Sequence, residues 1–390
     1  MNKKLALFLA VFALLSSTAR SDEKKFSLYT SGEIYGSARN YSGDRFDDDY
    51  SGKSYVGRVP GIYLEAGYQF TPKWSAKVAS EFISGYGVQL DEFSGSYKFN
   101  DALNLKAGIF GLPVGHCNSR YDYTDYFTTG DPEGEFAMIP CPFTELGLAL
   151  SGELPCGFSY EFDFTTGIDA DYANHGKWMK ECCQGFKFDN FNFASPAFAL
   201  RLNYEHPKGF FFGAGVYHTA NSARNMTDYK DFKQFHGKKV SLPTTIWYAG
   251  GEYKHDWFTV RASYMQGALG HAKELSDYFM STDGENVARG VIDVMGEVNF
   301  NLKNIFYKGK KGPEFYPFFH YEYYDSQYKA PVGLERDSRG KVNLWSAGVN
   351  YKPIEQVAIK LNYTHRKIGG GSFANQNEVN LGVAWSVDIF

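Results

Sequence analysis

His320 and Glu322 stand two residues apart on one face of an alternating stretch, where an imidazole and a carboxylate are placed for acid–base work. Hydrolysis would also need a Ser or Asp nucleophile within reach of the base and a third group to orient it. The other histidines are scattered: His206 and His255 fall at tight turns, and His218, His236 and His271 at loop ends. The pair therefore reads as polar lining of a wet surface, with a hydrolase as the competing reading.

The cysteines Cys117, Cys141, Cys156, Cys182 and Cys183 are odd in number and contain no C-x-x-C pair, which excludes zinc-ribbon and thioredoxin-like chemistry. His116 precedes Cys117 without companions at metal-ligand spacing, so neither a metal nor a cofactor is expected. Cys117 and Cys141 bracket one long segment and are either a disulfide pinning it or two free thiols. Closing a loop of that length would contribute about 3 kcal/mol by the chain-entropy model. Cys156, in a tight turn, is expected to be a free thiol, and the partners of the adjacent Cys182 and Cys183 are open. Gly369-Gly370-Gly371 joins two strands with no helix after it, so it is a loop and not a phosphate cradle. Asn225-Met226-Thr227 fits a glycosylation triplet, a short pattern that by itself carries little weight.

Charge is concentrated between residues 113 and 143, where His116, Arg120, Asp122, Asp125, Asp131, Glu133 and Glu135 occur together. Facing a narrow aqueous passage, such groups would set the local field, and their acidic excess would favour cations. The whole chain has a formal charge of −4 and a pI near 6.2, so no basic footprint for nucleic acid exists.

The elements that must position these groups are strands. Val357, Ile359, Leu361 and Tyr363 point one way, while Ala358, Lys360, Asn362 and Thr364 point the other. Phe158, Tyr160, Phe162 and Phe164 alternate with polar neighbours in the same manner, as do Phe258, Val260, Ala262 and Tyr264. About sixteen such segments begin near residues 26, 56, 74, 88, 103, 145, 157, 197, 209, 244, 257, 290, 314, 342, 356 and 377. Tight turns such as Thr71-Pro72-Lys73 and His206-Pro207-Lys208 alternate strictly with connections that are mostly long, the pattern of a transmembrane barrel whose short turns face the periplasm. Mean hydropathy is only −0.39, yet 29 Tyr and 34 Phe are present, which suits aromatic girdles at two membrane interfaces. A soluble β-sandwich or propeller also alternates, with shorter strands and an apolar interior.

Lys3 and Lys4 precede an apolar run from Leu5 to Leu15 and a small polar stretch, which reads as a Sec-type signal peptide over residues 1–21. Cleavage is expected after Ser21, with Ala19 the alternative, leaving one barrel domain over 22–390 in outer-membrane lipid and lipopolysaccharide. The last strand alternates Val379, Leu381, Val383, Trp385, Val387 and Ile389 before the terminal Phe390, with Ser386 and Asp388 where apolar residues usually stand. By this phase the polar lumen carries Lys77, Lys106, Glu161, Asp163, Arg201, Arg261, Glu297, Glu322 and Lys360, and also Glu65, Glu81, Glu205 and Asp293.

The segment LNLKAGIFGLPVG from Leu103 to Gly115, followed by TELGLALSGEL from Thr144 to Leu154, resembles the phosphate-selective porin O and P family, as does the NYKP turn at Asn350 with the KLNYTH strand after it. The resemblance implies a sixteen-stranded barrel, commonly trimeric, with its third external loop folded inward; here that loop is 113–143. The family's ladder of pore arginines and lysines is absent from this sequence, so phosphate selectivity does not follow. The function expected is passive diffusion of small hydrophilic solutes and ions through a water-filled channel. A surface barrel whose loops bind a partner is the alternative.

Overall fold

The computed structural model describes residues 25–46, 52–83, 87–118, 120–184, 191–223, 240–282, 286–307 and 312–389. The expected signal peptide, His236, the Asn225–Thr227 triplet and Phe390 lie outside the described residues.

Period-two alternation folds as antiparallel strands. They are β1 (Phe26–Arg39), β2 (in two pieces, Ser54–Arg58 and Gly61–Gln69), β3 (Trp74–Ile83), β4 (Gly87–Asn100), β5 (Leu103–Gly111), β6 (Thr144–Glu153), β7 (Phe158–Thr165) and β8 (Ala197–His206). There follow β9 (Phe210–Thr219), β10 (Thr244–His255), β11 (Phe258–Leu269), β12 (Gly290–Phe300), β13 (Glu314–Lys329), β14 (Lys341–Ile354), β15 (Val357–Ile368) and β16 (Asn375–Asp388). The two pieces of β2 pair with successive halves of β1 around Val59-Pro60, where proline has no N–H to give a ladder, so the barrel has 16 staves. Each strand starts within about two residues of its expected position. The last strand closes on the first from Tyr29↔Asp388 to Arg39↔Glu378. Closure leaves no sheet edge, as a lipid environment requires.

The outward set is the apolar one: Phe162, Phe198, Leu202, Phe212, Val260, Leu361, Leu381 and Val383 are all exposed. Aromatic pairs gather at the short-turn end, with ring centroids 4.7 Å apart for Trp74–Tyr97 and Phe158–Tyr204 and 4.3 Å for Phe210–Tyr253. That arrangement is an interfacial girdle. One connection at this end departs from the strict alternation of lengths, because residues 301–313 carry a short helix, Lys303–Tyr307. Ser386 lies in the inward phase, opposite to the apolar series of this strand, where it bonds Tyr29 Oη at 2.6 Å and donates to Asp122 at 3.0 Å.

At the other end the long loops fold into the barrel mouth and share one apolar core. The third external loop, L3 (112–143), brings Met138 and Ile139; the fourth, L4 (166–196), brings Ile168, Trp178, Met179, Cys182 and Cys183; the connection 270–289 brings Leu275 and Val287. They pack with Ile246, Met265, Leu269 and Val291 of the wall, and Trp178 Nε1 donates to the Ala288 carbonyl at 3.1 Å. Burying each large side chain contributes about 1.5–3 kcal/mol, enough in sum to hold irregular chain inside a wide barrel. The loop core fills one side of the mouth and leaves the other to water.

Candidate functional site

L3 crosses the lumen because the wall supplies partners for its backbone. Lys360 Nζ donates to the carbonyls of Tyr123 at 2.7 Å and Thr128 at 3.0 Å, and Arg261 Nη1 donates to that of Asp125 at 2.8 Å. Glu33 accepts from Gly130 N–H at 2.7 Å, and Glu322 accepts from Glu133 and Gly134 N–H at 2.9 and 2.6 Å. Those two amides open the short helix Glu133–Met138, so the carboxylate also meets the positive end of its peptide dipoles. Glycine permits the approach at both sides: a Cβ on Gly134 would sit 2.2 Å from Asp293 Oδ1, and one on Gly250 of β10 would sit 2.3 Å from the His116 ring.

The space left open includes three adjacent chambers. The outer one, about 810 Å³, lies among β1, β2, L3 and β13–β16. A middle chamber of about 720 Å³ lies between L3 and the wall formed by β1–β5, β7 and β8. An inner vestibule of about 580 Å³ opens toward the short turns. Pro60, Asp131, Phe136 and Lys180 border both the outer and middle chambers and so form the neck between them. Glu161 and Arg201 border both the middle chamber and the vestibule.

Charge differs from chamber to chamber. Around the middle one stand the carboxylates Glu65, Glu81, Asp91, Glu92, Asp122, Asp131, Glu161 and Glu181, against the cations Lys106, Arg120, Lys180 and Arg201. The outer chamber is balanced, with Arg39, Arg45, Arg58, Lys177, Lys180 and Arg366 facing Asp44, Asp131, Glu133, Glu322 and Glu378. In the neck, burial first and the carboxylates of Glu81 and Glu33 next raise Asp131 to about 7, while Lys360 and Lys180 oppose the shift. Burial pulls Lys180 below the ordinary lysine range.

The charged residues of 113–143 divide by role. Arg120 reaches the middle chamber, pairs with Glu205 at 3.1 Å and lies 3.4 Å over the Phe211 ring. Asp122 borders the same chamber and bonds Ser386, and burial raises its carboxyl. Asp125 Oδ2 accepts from the Asp122 backbone at 3.3 Å. Glu133 faces the outer chamber and binds Arg366 and Tyr324. Glu135 does not reach the passage: its buried carboxylate gathers the N–H groups of His116, Cys117 and Asn118 at 2.9, 3.2 and 2.6 Å. His116 borders a side cavity of about 160 Å³, where burial and then the Arg120 and Arg261 charges lower it to about 4, leaving it neutral.

Cys117 and Cys141 belong to one small apolar cluster with Tyr126 and Phe136, yet both are free thiols, as is Cys156. The Glu135 hydrogen bonds, with Asn118 Nδ2 donating to Val114 and Pro140 carbonyls at 3.2 and 3.3 Å, hold the loop ends together where a disulfide was one expectation.

Of the wall residues, Lys106, Glu161 and Arg201 border open space, and Lys77 lies beside them, bound to Glu65 at 2.9 Å. Arg261, Glu297, Glu322 and Lys360 are buried where L3 packs against the wall, and Asp163 is buried as well. Arg261 bridges Glu252 at 2.6 Å and Glu297 at 3.0 Å; Lys360 lies 3.3 Å from Glu33. His320 sits between Glu297 at 3.1 Å and Glu322 at 3.5 Å; all three are buried, and His320 and Glu322 border the outer chamber. Among the described residues no group of His, Cys, Asp and Glu is arranged to hold a metal ion.

Several lining residues were missed from sequence. Arg366 shares the inward phase of Lys360 and was readable from it. Lys180 had no such signal, because only the inward fold of L4 brings it to the neck; the apolar residues around it, Trp178, Met179 and Cys182, were the available hint.

No family model matches the chain. A protein of Aquifex aeolicus (strain VF5), described only as uncharacterized, is 25% identical over 315 residues, which span 77% of this chain and 69% of that one. The fold is similar to that of the anion-selective porin from Comamonas acidovorans (TM-score 0.57, 10% identity, 93% of this chain and 99% of that one). It is also similar to Pseudomonas putida OprB (0.56, 14%, 93% and 94%) and to Salmonella typhi OmpF in complex with daunomycin (0.58, 11%, 93% and 97%). The chain is thus a 16-stranded antiparallel β-barrel resembling outer-membrane porins.

Proposed function

We propose that this protein is a porin of the bacterial outer membrane, exported with a cleaved signal peptide, through which small hydrophilic solutes and ions diffuse passively with a preference for cations. The observation that carries the reading is the row of three neighbouring chambers, each sharing lining residues with the next, between the loop end and the short-turn end. The apolar outer belt supports a lipid setting, in which lipid and lipopolysaccharide would surround a homotrimer. The acidic excess of the middle chamber supports the cation preference, since a low-dielectric wall lined by one sign of charge concentrates the opposite ion. Phosphate selectivity is not part of the proposal: the cations of the middle chamber are outnumbered by carboxylates, and those of the outer chamber are nearly balanced by them. No covalent step is proposed either, because the buried His320 serves its two carboxylates.

Swelling of liposomes carrying the purified protein, in neutral sugars of increasing size, tests the reading. Fast swelling in a pentose that slows steadily with larger sugars is expected. No swelling from a demonstrably folded barrel would contradict it and turn attention to the loops as a binding surface.

A further inference from the structure

Strand β4 slips register by one residue against β3, between Ala79↔Glu92 and Ser80↔Leu90, leaving Asp91 as the extra residue of a β-bulge. A bulge re-aims side chains. Below it Glu92 and Ser94 occupy the inward phase; above it Asp91 and Gln89 do, so two consecutive carboxylates reach one chamber wall. Their situations differ. Glu92 lies 3.9 Å from Lys77, which binds Glu65 at 2.9 Å, whereas both oxygens of Asp91 and the amide nitrogen of Gln89 have no hydrogen-bond partner. Asp91 is 6% exposed and Gln89 8%, and both border the middle chamber. A carboxylate so enclosed is costly unless something positive and hydrogen-bonding meets it.

We infer that Asp91 and Gln89 form a subsite in the middle chamber for a hydroxylated organic ammonium, the chemistry of an amino-polyol or amino sugar. The ammonium would donate to Asp91, and a hydroxyl oxygen nearby would accept from Gln89. Tyr29 and Tyr63, edge to face at 6.1 Å on the same side of the chamber, offer ring surface for the carbon skeleton. Tyr123 already donates to Glu81 at 2.7 Å, so the neighbouring carboxylate is satisfied and Asp91 is the one left to bind. The inference rests on the reading of the barrel as a conducting pore.

The test uses the full-length barrel in planar bilayers in symmetric KCl at about pH 8, where an alkyl ammonium stays protonated. Glucamine is compared with sorbitol, which has a hydroxyl in place of the ammonium. Glucamine is expected to halve the single-channel current at a concentration about tenfold or more below that for sorbitol, the factor one charged hydrogen bond supplies. Asp91→Asn should bring the two curves together, and Gln89→Leu should weaken glucamine block severalfold; either variant suffices if the other fails to assemble. Equal block by the two polyols in the wild type, or discrimination that survives Asp91→Asn, overturns the inference. A folded barrel with no K⁺ steps overturns the conducting reading, and this inference with it.

Discussion

On the wall from β11 to β15, Arg261, Glu297, Glu322 and Lys360 are buried and contact L3 or another ion at 2.6–3.5 Å. Across the lumen, Lys77, Lys106 and Glu161 stay partly exposed, and their ion contacts range from 2.9 Å for Lys77–Glu65 to 3.9 Å for Lys77–Glu92. All of these residues occupy the inward phase of their strands. What separates anchor from lining is the course of L3, which excludes water from one wall and leaves it on the other. A charge pair worth little in water becomes costly to break once covered.

The largest effect should come from removing a covered charge. Lys360→Met strips the ammonium from Glu33 and from two L3 carbonyls, and breaking such a buried pair costs about 3–5 kcal/mol. The temperature at which the barrel loses its folded gel mobility should drop clearly, and single-channel current should become larger and noisier as L3 loosens. Adding Glu33→Met to that variant should recover part of the loss; a wild-type unfolding temperature for Lys360→Met alone would erase the contrast between the walls.

On the open wall the opposite is expected. Glu161→Gln should change stability by no more than about 0.5 kcal/mol, while the zero-current potential under a salt gradient moves toward anions. A large loss of stability would mean that this wall too is structural.

Between the walls sits Asp131, raised to about 7. It is neutral below that pH and charged above it, so cation preference should rise as pH passes through about 7, and Asp131→Asn should flatten that rise. Reversal potentials recorded across this range decide the point. The smallest effect belongs to Tyr123→Phe, which removes one hydrogen bond from L3 to Glu81 at a cost of about 1 kcal/mol and should show mainly as added current noise.

Strand positions were legible because lipid on one side and water on the other impose a strict period of two. That constraint ends where the chain leaves the wall. The inward course of 113–143 followed from family resemblance and loop length, but no pattern within it distinguishes Glu135, which binds backbone, from Asp131, which borders the neck. Likewise the phase of β15 identified Lys360 as inward, and only the three-dimensional path of L3 shows it covered. The slip at Asp91 left a trace, since the inward phase changes from odd positions at Gln89 to even ones at Glu92. Lys180 left none, because its place depends on the packing of Trp178 and Met179 within a loop.

The central claim is an open passage, narrowed by L3 and acidic at its middle. Single-channel recording of the purified protein under a KCl gradient tests it most directly. The account predicts stable steps and a zero-current potential with the sign for K⁺ preference. A potential of the Cl⁻ sign, or silence from a folded barrel, would contradict it.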